Sequence, residues 1–145
     1  GWQTVMEFSP SLVGCMISAG NHSFSMIKAS KSCVINLPEV DLLDTVAKIG
    51  NCTGTETDKF TEFGLTPLPS RKVSAPGIAE CFASFECQLY DDILVDSYNF
   101  FIFEVVSARV NSLHTWPHTL HYTGDGIFRL DGDTVDRHTL FTKVS

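Results

Sequence analysis

One arrangement restricts the fold of this chain more than any other: a strand that hands over to a polar turn, a short helix and a second strand. It runs from Ser9 to Leu37, SPSLVGCMISAGNHSFSMIKASKSCVINL. Leu12 to Ile17 is an apolar run bounded by Pro10 and Gly20, which predicts a buried strand. Asn21, His22 and Ser23 stand where a helix begins, with Phe24 and Ile27 one turn apart on one face. Cys33 to Leu37 is a second apolar strand, ended by Pro38. A helix start leaves its first N–H groups without partners. Asn21, His22 and Ser23, with Ser18 on the same exit, therefore form a candidate anion-binding turn. An ordinary N-cap is the plainer alternative, since Asn and Ser are common there.

Downstream, acidic residues lead the segment Glu39 to Gly50, Lys48 sits near its end and Gly50 closes it, which predicts a helix. Thr55 with Asp58 offers a capping pattern for a short helix through Phe63, stopped by Gly64. Thr66 to Pro76 carries three prolines and reads as an irregular connection. From Ile78 to Tyr90, Ala79, Cys81, Ala83, Phe85, Cys87 and Leu89 alternate with Glu80, Ser84, Glu86 and Gln88, the pattern of a half-buried strand turned by Asp91-Asp92. Phe100 to Val110 is apolar on both faces except at Glu104, Ser107 and Arg109. Such a strand predicts a barrel interior on one side and a helix or second subunit on the other. Ile127 to Leu130 is the last strand, with Asp131-Gly132 as a hairpin signal. Helices interrupting antiparallel strands define an α+β, mainly β, barrel-like class in a single domain, residues 1–145.

Charge and cysteine usage exclude several functions. The net charge of −7 argues against a nucleic-acid surface, although Lys28 with Lys31, and Arg71 with Lys72, are small basic clusters. No apolar run is long enough to cross a bilayer as a helix, so no membrane partner is expected. The cysteines Cys15, Cys33, Cys52, Cys81 and Cys87 form no C-x-x-C unit and sit largely in apolar runs, which points to a reducing cytoplasm. Sequons at Asn21 and Asn51 read as accidental in that setting. His114, His118 and His121 have a spacing that suits a helix, but Pro117 breaks it, so no metal site is expected. The chain holds no Gly-x-Ser-x-Gly elbow and no Gly-x-Gly-x-x-Gly fingerprint.

The run WQTVMEFSPSLVGCMISAGNHSFSMIKASKSCVINLP resembles the FMN-binding split-barrel proteins of the flavin reductase-like group, which includes flavoredoxins and NAD(P)H:flavin oxidoreductases. The matching pieces are Trp2, Pro10, Leu12 and Val13, then Asn21, His22 and Ser23, then Val34, Ile35 and Asn36. Asp58, Lys59, Phe60, Gly64 and Leu65 resemble a further segment, and AECFASFECQ and NFFIFEV resemble later strands. The group has strands before the point where this chain starts, so an N-terminal segment is expected to be missing.

The resemblance implies a split β-barrel that binds FMN, with NAD(P)H as a transient reductant and a small molecule or protein as electron acceptor. It implies a homodimer whose site is completed across subunits. Ser18, Asn21, His22 and Ser23 would take the phosphate, while Trp2, Gln3 and Thr4 would border the ring. Lys59 would either approach the cofactor or pair with Asp58 or Glu62. The group commonly places a His before the Phe-rich strand, where this chain has Asn99. Asn99 is the one candidate for the catalytic position, and an amide there cannot act as an acid near neutrality. Two alternatives stand beside the enzyme: a non-enzymatic FMN carrier or sensor, and an interaction module without cofactor.

Overall fold

The computed structural model describes residues 2–113 and 116–140. In chain order its elements are β1 (Trp2–Phe8), β2 (Ser11–Met16), α1 (His22–Ser30), β3 (Ser32–Leu37), a 3-10 turn (Val40–Leu42), α2 (Leu43–Gly50), α3 (Lys59–Glu62), β4 (Pro67–Leu68), β5 (Gly77–Ile78), β6 (Ala83–Asp91), α4 (Val95–Tyr98), β7 (Phe100–Val110), β8 (Leu120–Gly124), β9 (Ile127–Leu130) and a second 3-10 turn (His138–Leu140). Five strands form one antiparallel sheet in the order β1-β2-β7-β6-β3. The sheet does not close on itself, as in a split barrel. The pairs β4-β5 and β8-β9 are separate two-stranded ribbons.

Strand β7 is central and pairs with β2 on one side and β6 on the other. Its alternate residues Phe101 and Phe103 are fully buried on one face, their rings stacked at 5.8 Å. Cys15 lies opposite Phe101 across the β2 ladder, and Cys87 lies opposite Val105 across the β6 ladder. Helix α1 covers this face through Ile27 and Phe24, whose ring meets Phe101 edge-on at 5.2 Å. Val95 of α4 completes the cluster. The expectation of a strand buried on both faces holds for the first part of β7, where Ile102 is buried on the opposite face, and lapses at Ala108–Val110, which are exposed. On that opposite face β2 needs glycine. A Cβ at Gly14 would come 2.2 Å from Phe100 Cζ and 2.9 Å from Met6 Sδ.

The first strand–helix–strand unit forms as its sequence predicts, and α1 stops where Lys31 enters the left-handed region, its N–H bonded to Ile27 O at 2.8 Å. Other expectations need correction. The Glu39–Gly50 helix begins as a 3-10 turn and becomes α-helical only at Leu43. Asp58, not Thr55, caps α3: its carboxylate accepts from Phe60 N at 3.2 Å and from Thr61 Oγ1 at 2.6 Å, while Thr55 Oγ1 bonds Thr53. The Ile78–Tyr90 strand is two pieces, because Cys81 N turns back to Ile78 O and the ladder with β7 starts at Ala83. The last hairpin turns at Asp125-Gly126, not at Asp131-Gly132. Both turn residues have positive φ, 53° and 75°, as a two-residue hairpin loop requires. Helix α4 and strand β8 were not anticipated. Among the described residues no helix is long and apolar enough to cross a membrane.

Phe101→Ala is expected to cost about 3–5 kcal/mol in chemical denaturation, because the surrounding core is held by strand pairing and cannot collapse into the hole. The hydroxyl and amide of Thr61 hold the Asp58 carboxyl below its ordinary range. Its contribution is therefore present above about pH 4 and fades as pH falls through the lower folded-state value. Melting curves of Asp58→Asn should lie below the parent at neutrality and converge with it near about pH 2.

Candidate functional site

A cavity of about 610 Å³ continues the core beyond Cys15 and Ile35, which belong to both. Its volume lies in the range of about 300–1,000 Å³ typical of small-molecule sites. Strands β1 and β2 form one wall, β3 and α2 a second, and the β8-β9 hairpin stands across from them. The hairpin is held there by a bridge between Glu39 and Thr119 and by Val40 N, which donates to His118 O at 2.9 Å. Leu120, Tyr122 and Phe128 line the cavity on its hairpin side, the two rings 5.2 Å apart. The wall is mostly apolar. Its described residues include no Asp, Glu, Lys or Arg. Burial pushes the Cys15 and Cys81 thiols on this wall up to about 11, so both are neutral at physiological pH.

Few polar groups reach the wall. Trp2 and Gln3, both expected to border a ring, line it. Thr4 does not: its hydroxyl donates to Val5 O on its own strand at 3.2 Å. Asn36 Oδ1 accepts from Ile78 N at 2.9 Å and ties the β4-β5 ribbon to β3. Thr45, Thr119 and His121 complete the set, with His121 Nε2 3.1 Å from Thr119 Oγ1. The sequence reading assigned none of the three to this site and weighed His121 only as a metal ligand; for Thr119 and His121 the available signal was the alternation on both sides of Asp125-Gly126.

At the end of β2 the wall passes through Ile17 to the start of α1. Ile17 N donates to Asn99 O at 2.9 Å, so the fold brings Asn99 beside the strand exit. Asn99 caps α4 in the left-handed region, with φ of 56°, a conformation in which Asn is favoured over most residues. Beyond Ile17, Ser18 Oγ accepts from Gly20 N at 3.3 Å, and Ser18 O accepts from Asn21 N at 2.9 Å. The backbone of Asn21 is extended, as an N-cap requires, yet its side chain makes no capping bond. The first turn of α1 carries no acidic residue. His22 lies against the 51–57 loop, where a Cβ at Gly54 would come 3.4 Å from its ring. Ser18, Asn21, His22 and Ser23 thus sit together just past the cavity, none of them on its wall.

Lys28, Lys31 and Lys59 are engaged elsewhere. Lys28 pairs with Asp96 at 2.6 Å and Lys31 with Asp92 at 3.3 Å, both on the surface. Lys59 Nζ donates to Ile49 O at 2.9 Å and closes the end of α2, in place of either expected role. Arg71 and Lys72 give their backbone N–H groups to the Glu86 carboxylate. His118 Nδ1 lies 3.5 Å from Asp131 Oδ2, and His114 lies outside the described residues. Among the described residues no three His, Cys, Asp or Glu side chains could share a metal ion.

The sequence matches the flavin reductase like domain over residues 1–139. This chain belongs to that family. An uncharacterized protein of Archaeoglobus fulgidus is 31% identical over 105 residues, 72% of this chain and 59% of that protein. A second, from Pyrococcus abyssi, is 33% identical over 106 residues, 73% of this chain and 60% of its own length. The chain therefore spans about three fifths of these curated relatives. Among solved structures, the flavoredoxin of Desulfovibrio vulgaris superposes with a TM-score of 0.86 at 19% identity, over 98% of this chain and 80% of that one. The FMN-binding domain of a flavin reductases-like enzyme from Shewanella baltica gives 0.84 at 22% identity, over 93% and 78%. These likenesses establish the split-barrel fold.

Asn36→Ala should destabilise the protein by about 1–3 kcal/mol in urea, because the half-buried Ile78 N–H loses its acceptor.

Proposed function

We propose that this flavin reductase-like chain binds FMN, with the ring in the cavity and the phosphate at the start of α1. It then acts as an oxidoreductase that receives hydride from NAD(P)H and passes electrons to a small molecule or protein. One observation carries the reading: a largely apolar cavity without carboxylates or lysines among its described residues opens through Ile17 onto a helix start where the Asn21 side chain makes no capping bond. The residues fit the group. The N–H groups at the front of α1, with Asn21, His22 and Ser23, supply donors for a dianionic phosphate at the positive end of the helix. Ser18 retains its hydroxyl proton as a further donor. Trp2 offers a flat apolar border, and the Gln3 amide offers donor and acceptor to a ring edge. When bound, FMN supplies the centre that accepts and returns hydride. Ile35, Val46, Leu120 and the aromatic pair of the hairpin give the ring an apolar surround.

Asn99, whose backbone carbonyl accepts from Ile17 N, would orient a carboxamide through its side-chain amide without exchanging a proton. Its presence where the group commonly has His favours a second reading, an FMN carrier that exchanges electrons with a protein partner. A homodimer is part of the proposal. Strand β1 is the sheet edge and leaves Val5 70% and Phe8 85% exposed, apolar surface that a second copy would cover.

Purified protein titrated with FMN should develop a bound-flavin absorbance spectrum, and anaerobic NADH or NADPH should bleach it. Colour without bleaching favours the carrier; a folded chain that stays colourless at saturating FMN removes both readings. Replacing Asn21 and Ser23 together by Ala should weaken FMN binding at least about tenfold. The melting temperature should scarcely move, since Asn21 makes no side-chain capping bond.

A further inference from the structure

Three of the five cysteines meet in the core. Cys15 and Cys87 are buried there, and Cys33 packs against them. Two of the three are opposed in one ladder: Cys33 of β3 lies directly across from Cys87 of β6. Opposed residues of an antiparallel pair project from the same face, with Cα atoms about 4.5 or 5.5 Å apart. Either spacing falls within the roughly 4.4–6.8 Å that a disulfide spans. Cys15 is poorly placed as a partner for Cys87. It stands on β2, with β7 between it and β6. Two strand spacings amount to roughly 10 Å, beyond the reach of a disulfide. Cys15 is also displaced along β7, where it faces Phe101 while Cys87 faces Val105.

The opposed sulfurs already interact. The Cys33 S–H donates to the Cys87 sulfur, which holds the Cys87 thiol below its ordinary range and pushes Cys33 above its own. Cys87 Sγ in turn donates to Phe85 O at 3.5 Å. Exposure divides the pair. Cys87 is fully buried, whereas Cys33 is half-buried and stands on β3, the edge strand of the sheet. A small reagent therefore meets Cys33 first, with the Cys87 sulfur waiting behind it.

We propose that Cys33 and Cys87 form a reversible dithiol/disulfide couple, a two-electron redox site that exchanges with small-molecule disulfides. The Cys33 thiol gives up its proton and attacks one sulfur of the incoming disulfide, forming a mixed disulfide and expelling one thiolate. Cys87 then gives up its proton and attacks Cys33 Sγ, forming the protein disulfide and expelling the second thiolate. The chain loses two protons and two electrons; the small disulfide gains both and leaves as two thiols. The new bond ties the edge strand to β6 two residues before Ile35, which with Asn36 and Leu37 lines the cavity. Neither Cys33 nor Cys87 belongs to the proposed FMN site, so the couple stands whether or not FMN binds.

The full chain, reduced with dithiothreitol and then freed of it, is incubated without FMN with glutathione disulfide, quenched in acid, alkylated in denaturant and mapped by mass spectrometry. Two of the five thiols should escape alkylation, and the tryptic peptides of Cys33 and Cys87 should appear joined. Dithiothreitol should restore both thiols. Cys15→Ala should form the same bond. Cys33→Ala should form none and leave Cys87 unmodified, since that side chain is fully buried. Five alkylated thiols, a bond joining other cysteines, or a glutathione adduct at Cys33 that never resolves would each overturn the couple. So would a Cys33–Cys87 bond that appears only when the oxidant is added in urea.

Discussion

The pairing of β7 with β2 and β6, and the burial of Phe101 and Phe103 on one of its faces, is the interaction on which the other elements depend. Those two rings define which side of the sheet is inside. Helix α1 is recruited to that side by Phe24 and Ile27, and α4 by Val95. Because β7 is bonded on both edges, its register fixes β2. The register of β2 in turn fixes where Ile17 leaves the sheet and where α1 begins. A one-residue slip would turn both phenylalanines to the opposite face and move the helix start with them.

The cavity follows from the same geometry. The sheet is open between β1 and β3, and the core does not fill the space there. The unfilled part is bounded by α2 and by a hairpin that no sheet strand pairs with. Its polarity reflects what can be desolvated. Thiols stay neutral when buried, amides are tolerated where they find partners, and no carboxylate stands among the described residues of the wall. The positive end of α1 lies just past this neutral wall, where an anionic group can meet it.

Local chemistry made much of this legible. The Pro10-to-Gly20 strand, the polar helix start and the continuous apolar run of Phe100 to Val110 are short-range signals, and each produced the element they imply. Where the reading failed, longer-range contacts decided. Lys59 reaches the carbonyl of Ile49 because the chain between them doubles back. Lys28 and Lys31 meet Asp96 and Asp92, over sixty residues away, because α4 docks beside α1. Thr55 carries a capping signature, but Asp58 sits nearer the turn the chain makes and takes the amides.

By itself the sequence determined the strand–helix–strand order of β2, α1 and β3, the long strand β7, the family, and the polar turn that begins α1, because these rest on short-range residue spacing. Only the tertiary structure decided that Thr4 lies off the cavity wall while Gln3 lies on it, that Asn99 stands beside Ile17, and that the β8-β9 hairpin brings Tyr122 and Phe128 to that wall. Such neighbours are far apart in the chain or separated by the pleat of a strand. The ladder registers that bring them together are set by burial of the shared core, which no local run of residues encodes.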